Sequence, residues 1–351
     1  MTAFTVELSP EEISGVIEKY GIDIKSTRER KSSFVSATTH IYELTNEKFR
    51  TARTFIVETD SGNKIVSHPS LVGSYLNEKC SEAAAEVVRA TPGLTGINDF
   101  PPKHIIYFGI LRAGPYYNRK SAYELIKSTD LSVVTARVRY KDASKGNHTE
   151  ERVPEIVEST VNMRKLPHNA HLYVMVDDTG ASGKTFDVAL RRLANECTNV
   201  GSTIDEMDVY GFESGETMRV LKGLEEDLDT KINTFAIGAI TGLRKNGYDM
   251  PILELSDCIC NSIVDRETLG RLLPSYAPVM DKDTVGDWSA RFFDIETHLK
   301  DTIAALEYRM AEPRFNKKWQ QVLAKQEMKN LQNSLENYKK YTKQNPEESL
   351  K

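Results

Sequence analysis

Apolar residues in this chain of 351 fall into short, dense runs set apart by polar stretches. The runs His104 to Ile110, Leu131 to Arg139, His171 to Val176, Met207 to Phe212 and Ile232 to Ile240 suit strands buried in a parallel sheet. Ile252 to Leu255 is a further strand candidate. Tyr116 to Lys127 and Gly183 to Cys197 instead read as helices. Strand alternating with helix predicts an α/β fold, a mainly parallel right-handed sheet with helices on both faces. Ligands in such sheets bind beyond the carboxyl ends of the strands. The segments that follow these strands are therefore where chemistry is expected.

The flanks have a different texture. Ser9-Pro10-Glu11-Glu12 has the order of an N-cap, an N1 proline and an N3 acid, and Gly21 closes the helix it opens. Phe34 to Tyr42 and Thr54 to Glu58 read as strands. Thr59 to Asn63 is a turn signal before Lys64-Ile65-Val66, which predicts a hairpin. Leu71 to Arg89 is helical by pattern. The prolines at 92, 101 and 102 mark a boundary, dividing the chain into an N-terminal α+β region (1–102, a candidate hood), a core (103–257) and a C-terminal helical extension (258–351). In the extension, Phe292 to Met310 reads as a helix and Pro313 as its break. Arg314 to Tyr341 is a long lysine-rich helix with a weak apolar stripe (Phe315, Trp319, Val322, Leu323, Leu331, Leu335, Tyr338). Packing or dimerisation is its expected role, with nucleic-acid contact as the sharper alternative. The last ten residues read as disordered.

Charge and composition remove several classes. The net charge of −5 shows no basic excess of the kind that marks a nucleic-acid binder. No apolar run reaches the length of a membrane span, and the first residues lack a basic segment followed by an apolar one. Cys80, Cys197, Cys258 and Cys260 form neither a CxxC pair nor a dense framework, so reduced thiols in a cytoplasmic compartment are expected.

The most informative stretch is Leu172 to Phe186, LYVMVDDTGASGKTF. An apolar strand runs into two acids, then into small residues that let backbone N–H groups close around an anion at a helix start. Gly183-Lys184-Thr185 matches the end of the P-loop pattern GxxxxGK[ST], but the first glycine would stand at 178, where the chain has Asp178. A carboxylate there would point into the phosphate space, which weighs against a nucleotide kinase or ATPase. The plain alternative is a tight βα turn with solvated acids.

Read as strand, acid-acid, two residues, small-small-Gly, x, Thr, the stretch resembles the phosphoribosyl-pyrophosphate (PRPP) motif of type I phosphoribosyltransferases. The resemblance implies that Asp177 and Asp178 bond the ribose 2′ and 3′ hydroxyls. It implies that Thr179, Gly180, Ala181, Ser182, Gly183, Lys184 and Thr185 wrap the 5′-phosphate. Carboxylates are acceptors suited to a diol, and a phosphate takes bare N–H groups, hydroxyls and a helix N-terminus. Ile110 to Gly114 resembles the ILRAG segment of uracil phosphoribosyltransferases, which assigns Arg112, Ala113 and Gly114 to the pyrophosphate. Arg137 to His148 is similar to the mobile catalytic loop of orotate phosphoribosyltransferases. That similarity adds Arg139 to the pyrophosphate site and makes Lys141, Lys145 and His148, with Arg112, the catalytic candidates.

Together these matches, over about residues 103 to 215, imply transfer of the phosphoribosyl group of PRPP to a nucleobase-like acceptor, with loss of pyrophosphate. They imply Mg²⁺, held near Asp177 and Asp178 through water, and a homodimer. One departure is informative: hypoxanthine-guanine members carry an aspartate where this chain has Ala181, which weighs against a 6-oxopurine, while the two secondary matches lean towards pyrimidine enzymes. Tyr116, Tyr117, Tyr210 or Phe212 could stack on a base, although core packing is the commoner fate of such residues. A non-catalytic PRPP-binding regulator is the rival reading. Such a regulator needs the cradle but not a basic lid.

Overall fold

The computed structural model describes residues 9–31, 35–95, 104–110, 131–141, 155–161, 166–245, 247, 249–252, 258–276, 291–292, 294–313, 315 and 318–345. Its centre is a nine-stranded sheet in the order β1-β2-β3-β9-β8-β7-β4-β5-β6. The strands are β1 (Thr27–Arg30), β2 (His40–Leu44), β3 (Arg53–Glu58), β4 (His104–Ile110), β5 (Leu131–Lys141), β6 (Glu155–Val161), β7 (His171–Asp177), β8 (Thr203–Ser214) and β9 (Lys231–Thr241). From β3 to β5 every neighbouring pair is parallel. Antiparallel strands complete both edges, β1 and β2 on one side and β6 on the other.

Helices cover both faces, as the alternation predicts. Along β7, Leu172, Val174 and Val176 enter one core with Phe186, Leu190 and Leu193 of α4 (Lys184–Asn199) and Leu221 and Leu224 of α5 (Gly215–Leu228). Tyr173 and Met175 face the opposite core with Leu76, Ala83 and Val87 of α3 (Gly73–Thr95), Ile65 of α2 (Asp60–Ser67) and Leu269 of α6 (Arg266–Tyr276). Helix α1 (Pro10–Tyr20) lays Ile13, Val16 and Ile17 on the same side. Its ends are those read from the sequence: the Ser9 and Glu12 side chains each accept the other's backbone N–H, and Gly21 closes it at φ 61°.

The expected hairpin at 54–66 is instead β3 followed by α2. The Thr59 hydroxyl accepts the Gly62 N–H at 2.9 Å and caps the helix. β3 already has β2 on one side and β9 on the other, so no edge is open to a returning strand. The elements β1, β6, α5 and α6 also go beyond those the hydrophobic pattern predicts. The Ile252 to Leu255 strand is absent at 252, and 253–257 lie outside the described residues. Short strands β10 (Leu243–Arg244) and β11 (Cys258–Cys260) form a separate pair. All four cysteines are free thiols.

The C-terminal helices α7 (Ile295–Met310) and α8 (Lys318–Gln344) share a small core of Leu299, Leu306, Phe315, Ala324 and Leu331. The lysines at 325, 329, 339, 340 and 343 stay exposed. Polar bonds fasten this unit to the turn between α2 and α3. Glu327 accepts the Ser70 N–H at 3.3 Å, the Ser334 hydroxyl donates to the Ser70 carbonyl, and a His298 ring nitrogen meets the Pro69 carbonyl at 2.9 Å. Among the described residues, no helix is long and apolar enough to cross a membrane.

Beneath α3 the sheet buries a polar cluster. Asp208, fully buried, accepts from the Tyr173 hydroxyl, from the Tyr210 hydroxyl at 3.1 Å and from Asn233 at 2.7 Å. Burial outweighs these donors and pushes its carboxyl up to about 7. The folded chain thus holds a proton that the unfolded chain releases near ~4. The stability this group contributes is present below that value and is lost as pH rises through about 7. Asp208→Asn removes the titration. Denaturant unfolding at pH 4.5 and pH 8 is expected to show the variant gaining on the wild type by roughly 2 kcal/mol or more at the higher pH. A pH-independent difference between the two proteins would contradict this.

Candidate functional site

The strand order locates the site. From β4 the chain steps outward to β5, whereas from β7 it steps the other way, to β8 and then β9. The reversal falls between β4 and β7, where Gly109 pairs with Asp177. A crevice outside the carboxyl ends at such a switch point is the general ligand position of open α/β sheets. The stretch after β7 opens there, and β4 ends beside it.

Asp177 and Asp178 are both buried, at 3% and 5% exposure, so the reading of solvated turn acids fails. One Asp177 oxygen accepts the Tyr107 hydroxyl at 2.7 Å across the neighbouring strand; the other has no hydrogen-bond partner among the described residues. Burial drives the Asp177 carboxyl well above its ordinary range, and Asp178 adds to the shift against the Tyr107 bond. Burial likewise brings Asp178 up to about 7, against a 2.8 Å bond from the Thr179 N–H. Buried acids with an open acceptor oxygen are suited to hydroxyl donors or a hard cation.

Beyond Asp178 the chain does not leave the sheet at once. The Asp178 N–H donates to the Tyr210 carbonyl at 3.3 Å, the Gly180 N–H to Phe212 at 2.9 Å, and the Ser214 N–H back to Gly180 at 2.9 Å. The Ser214 and Thr217 hydroxyls both donate to the Ala181 carbonyl. The cradle is therefore held by the end of β8 and the start of α5, a segment (Gly211 to Thr217) to which the sequence gives no such role. Gly180 and Gly211 allow the close approach. A Cβ on Gly180 would meet a Glu213 oxygen at 2.0 Å, and one on Gly211 the Asp178 carbonyl oxygen at 1.7 Å.

Gly183 then turns the chain into α4 at φ 72°, a left-handed conformation that favours glycine. It has no side chain with which to cap the helix, so the N-cap residue of α4 supplies no side-chain bond to the first N–H groups. Lys184 and Thr185 follow, half-buried, with Thr179, Ala181 and Ser182 half-buried around them. A lysine in a first helical turn is disfavoured by the helix dipole unless an anion joins it. The one acid of that turn, Asp187, is turned to Arg191 at 2.8 Å. An uncapped helix start with a cation and hydroxyls is a site for a phosphate-like anion.

The structure thus brings Asp177 to Thr185 into one continuous cradle. Arg112, Ala113, Gly114, Lys145 and His148 lie outside the described residues, as do the side chains of Arg139 and Lys141 and the whole of Tyr116 and Tyr117. The backbone of β5 runs on past its pairing with Ile110 as far as Lys141, on the carboxyl side of the sheet. Tyr210 and Phe212 belong to the core rather than to a base pocket, with Tyr210 stacked on Phe235 at 5.1 Å.

No protein-family model matches the chain, and no curated protein matches it. Solved structures with a similar arrangement include the AQ2163 protein of Aquifex aeolicus, at 15% identity over 54% of this chain and 86% of that one, with a TM-score of 0.37. Adenine phosphoribosyltransferase from Trypanosoma brucei, in complex with AMP, pyrophosphate and ribose-5-phosphate, matches at 11% identity over 52% and 83%, TM-score 0.32. The enzyme of that type from Giardia lamblia, complexed with 9-deazaadenine, matches at 16% identity over 45% and 80%, TM-score 0.27.

Proposed function

We propose that this protein is a phosphoribosyltransferase. It transfers the 5-phosphoribosyl group of PRPP to a nucleobase-like acceptor, a pyrimidine in preference to a 6-oxopurine, and releases pyrophosphate. The observation that carries the reading is the cradle at the sheet's switch point, where two buried acids lead directly into an uncapped, glycine-turned helix start. That is a diol acceptor joined to an anion site, the two ends of a ribose 5-phosphate.

In this reading Asp177 and Asp178 accept from the ribose hydroxyls, and residues 179–185 enclose the 5′-phosphate with N–H groups and hydroxyls. Their carboxylates also offset positive charge that develops on the ribose ring as the bond to pyrophosphate lengthens. Arg112, Ala113, Gly114 and Arg139 hold the leaving group, and Lys141, Lys145 and His148 close over it and exclude water.

The Asp177 oxygen that has no partner among the described residues and the Asp178 carboxyl are hard oxygen donors of the kind Mg²⁺ takes, directly or through water. Among the described residues no group of three or more His, Cys, Asp or Glu could hold a metal by itself; in the proposal the ion is bound mostly by substrate oxygens. Held there, the ion would neutralise pyrophosphate charge. A homodimer in the cytoplasm completes the proposal.

Incubating the protein with Mg²⁺, PRPP and a panel of nucleobases, and measuring released pyrophosphate, tests the assignment. Acceptor-dependent release, strongest with a pyrimidine, is expected. PRPP binding with no release for any acceptor would favour the regulator instead.

A further inference from the structure

Glu213 has no part in the chemistry described so far, yet it is the least comfortable side chain near the cradle. It is fully buried, and neither carboxyl oxygen has a hydrogen-bond partner among the described residues. Burial and the neighbouring Asp178 and Asp177 all disfavour its charged form. An apolar side chain of similar volume would avoid that cost to stability. A buried, unsatisfied group that persists beside a ligand site points to a role in that site.

Its surroundings show what the role is. Glu213 stands where the register of β8 against β9 shifts, and Gly180 forms an isolated parallel bridge to it. One carboxyl oxygen lies 2.0 Å from where a Gly180 Cβ would be, hence within about 3.5 Å of the Gly180 Cα. The other lies 2.8 Å from where a Gly211 Cβ would be. The carboxyl fills the side-chain space of Gly180 in the cradle and borders that of Gly211 in the strand beneath it, which the Asp178 carbonyl oxygen occupies. The oxygen at Gly180 is close enough for a Cα–H contact, weak but directional.

We propose that Glu213 is a positioning residue of the cradle. Wedged against Gly180 and Gly211, it holds residues 178–181 in the arc that turns Asp178 and the start of α4 towards a ligand. It touches no ligand itself. The role needs the length and the acceptor oxygen of the side chain, so glutamine substitutes for it and alanine does not. For its ligand, the inference rests on the PRPP reading.

Two measurements on the full-length protein test it. In the ligand-free state, hydrogen exchange of the Gly180 amide, which is bonded to the Phe212 carbonyl, is compared among wild type, Glu213→Gln and Glu213→Ala. The alanine variant is expected to exchange about tenfold faster at Gly180, with amides of β4 and β9 unchanged and the glutamine variant near wild type. Mg²⁺-PRPP titration should follow the same order, with Glu213→Gln within about threefold of wild type and Glu213→Ala weaker by about tenfold or more.

If Glu213→Ala does not fold, Glu213→Asp, which retracts the carboxyl, is read in its place. Unchanged exchange and affinity in the alanine variant would overturn the inference, as would equal losses in the glutamine and alanine variants. The exchange experiment needs no PRPP, so failure of the phosphoribosyltransferase reading is distinguishable from failure of the wedge.

Discussion

Arg291→Met is expected to lower stability by about 3 kcal/mol and to free the C-terminal helices for proteolysis. Arg291 is fully buried. Its guanidinium donates to the carbonyls of Ile65 and His68 at 3.0 Å each, and to Leu71 at 3.0 and 2.9 Å. Two of these carbonyls sit at the C-terminal end of α2, where a positive charge complements the helix dipole. Methionine keeps much of the volume but none of the donors. Three carbonyls, that of Ile65 buried and those of His68 and Leu71 partly buried, would then lack these bonds, at up to about 1–3 kcal/mol each, offset in part because a buried charge is also removed. Limited proteolysis with thermal unfolding checks this. A variant with wild-type Tm and protease resistance would show that the α2–α3 turn finds its partners elsewhere.

Asp177→Asn combined with Asp178→Asn should reduce turnover on PRPP by about 100-fold or more, through loss of charge-assisted bonds and of charge stabilisation at the ribose. Stability should not fall with it. Burial already drives both carboxyls up, so their ionised forms are costly in the folded state, and an amide oxygen at position 177 can still accept the Tyr107 hydroxyl. Lost activity with an unchanged or higher Tm is therefore the expected signature, read from steady-state kinetics beside thermal unfolding. Unchanged kinetics would rule out the roles proposed for the two acids.

Much of this architecture is legible in the residues, for definite reasons. The β7 run from Leu172 to Val176 is apolar on both faces because α3 and α4 cover both faces, and only a parallel, sandwiched strand needs that. The Ser9 box and Gly21 specify α1 locally. The hairpin expected in place of α2 has an equally definite cause. Thr59 to Asn63 fits a turn and an N-cap equally well; the sheet neighbours of β3 decide between them, and they are remote in sequence.

Within the site, the acids and small residues after β7 are readable, whereas the brace behind them is not. Glu213 looks in sequence like a polar strand end meeting solvent. Its burial depends on how Gly180 is laid against β8, a tertiary fact. A usable signal does exist: an acid between Gly211 and Gly215 at a parallel strand end, followed by Ser214 and Thr217 spaced to cap α5.

The central claim is that the stretch from Asp177 to Thr185 binds the ribose 5-phosphate end of PRPP. Isothermal titration of the full-length protein with PRPP in the presence of Mg²⁺ tests it most directly. Saturable binding near one equivalent per chain, weakened by about tenfold or more in the Asp177→Asn, Asp178→Asn variant, is the predicted result. Absence of binding to the folded wild-type protein, or equal binding by the variant, would contradict it.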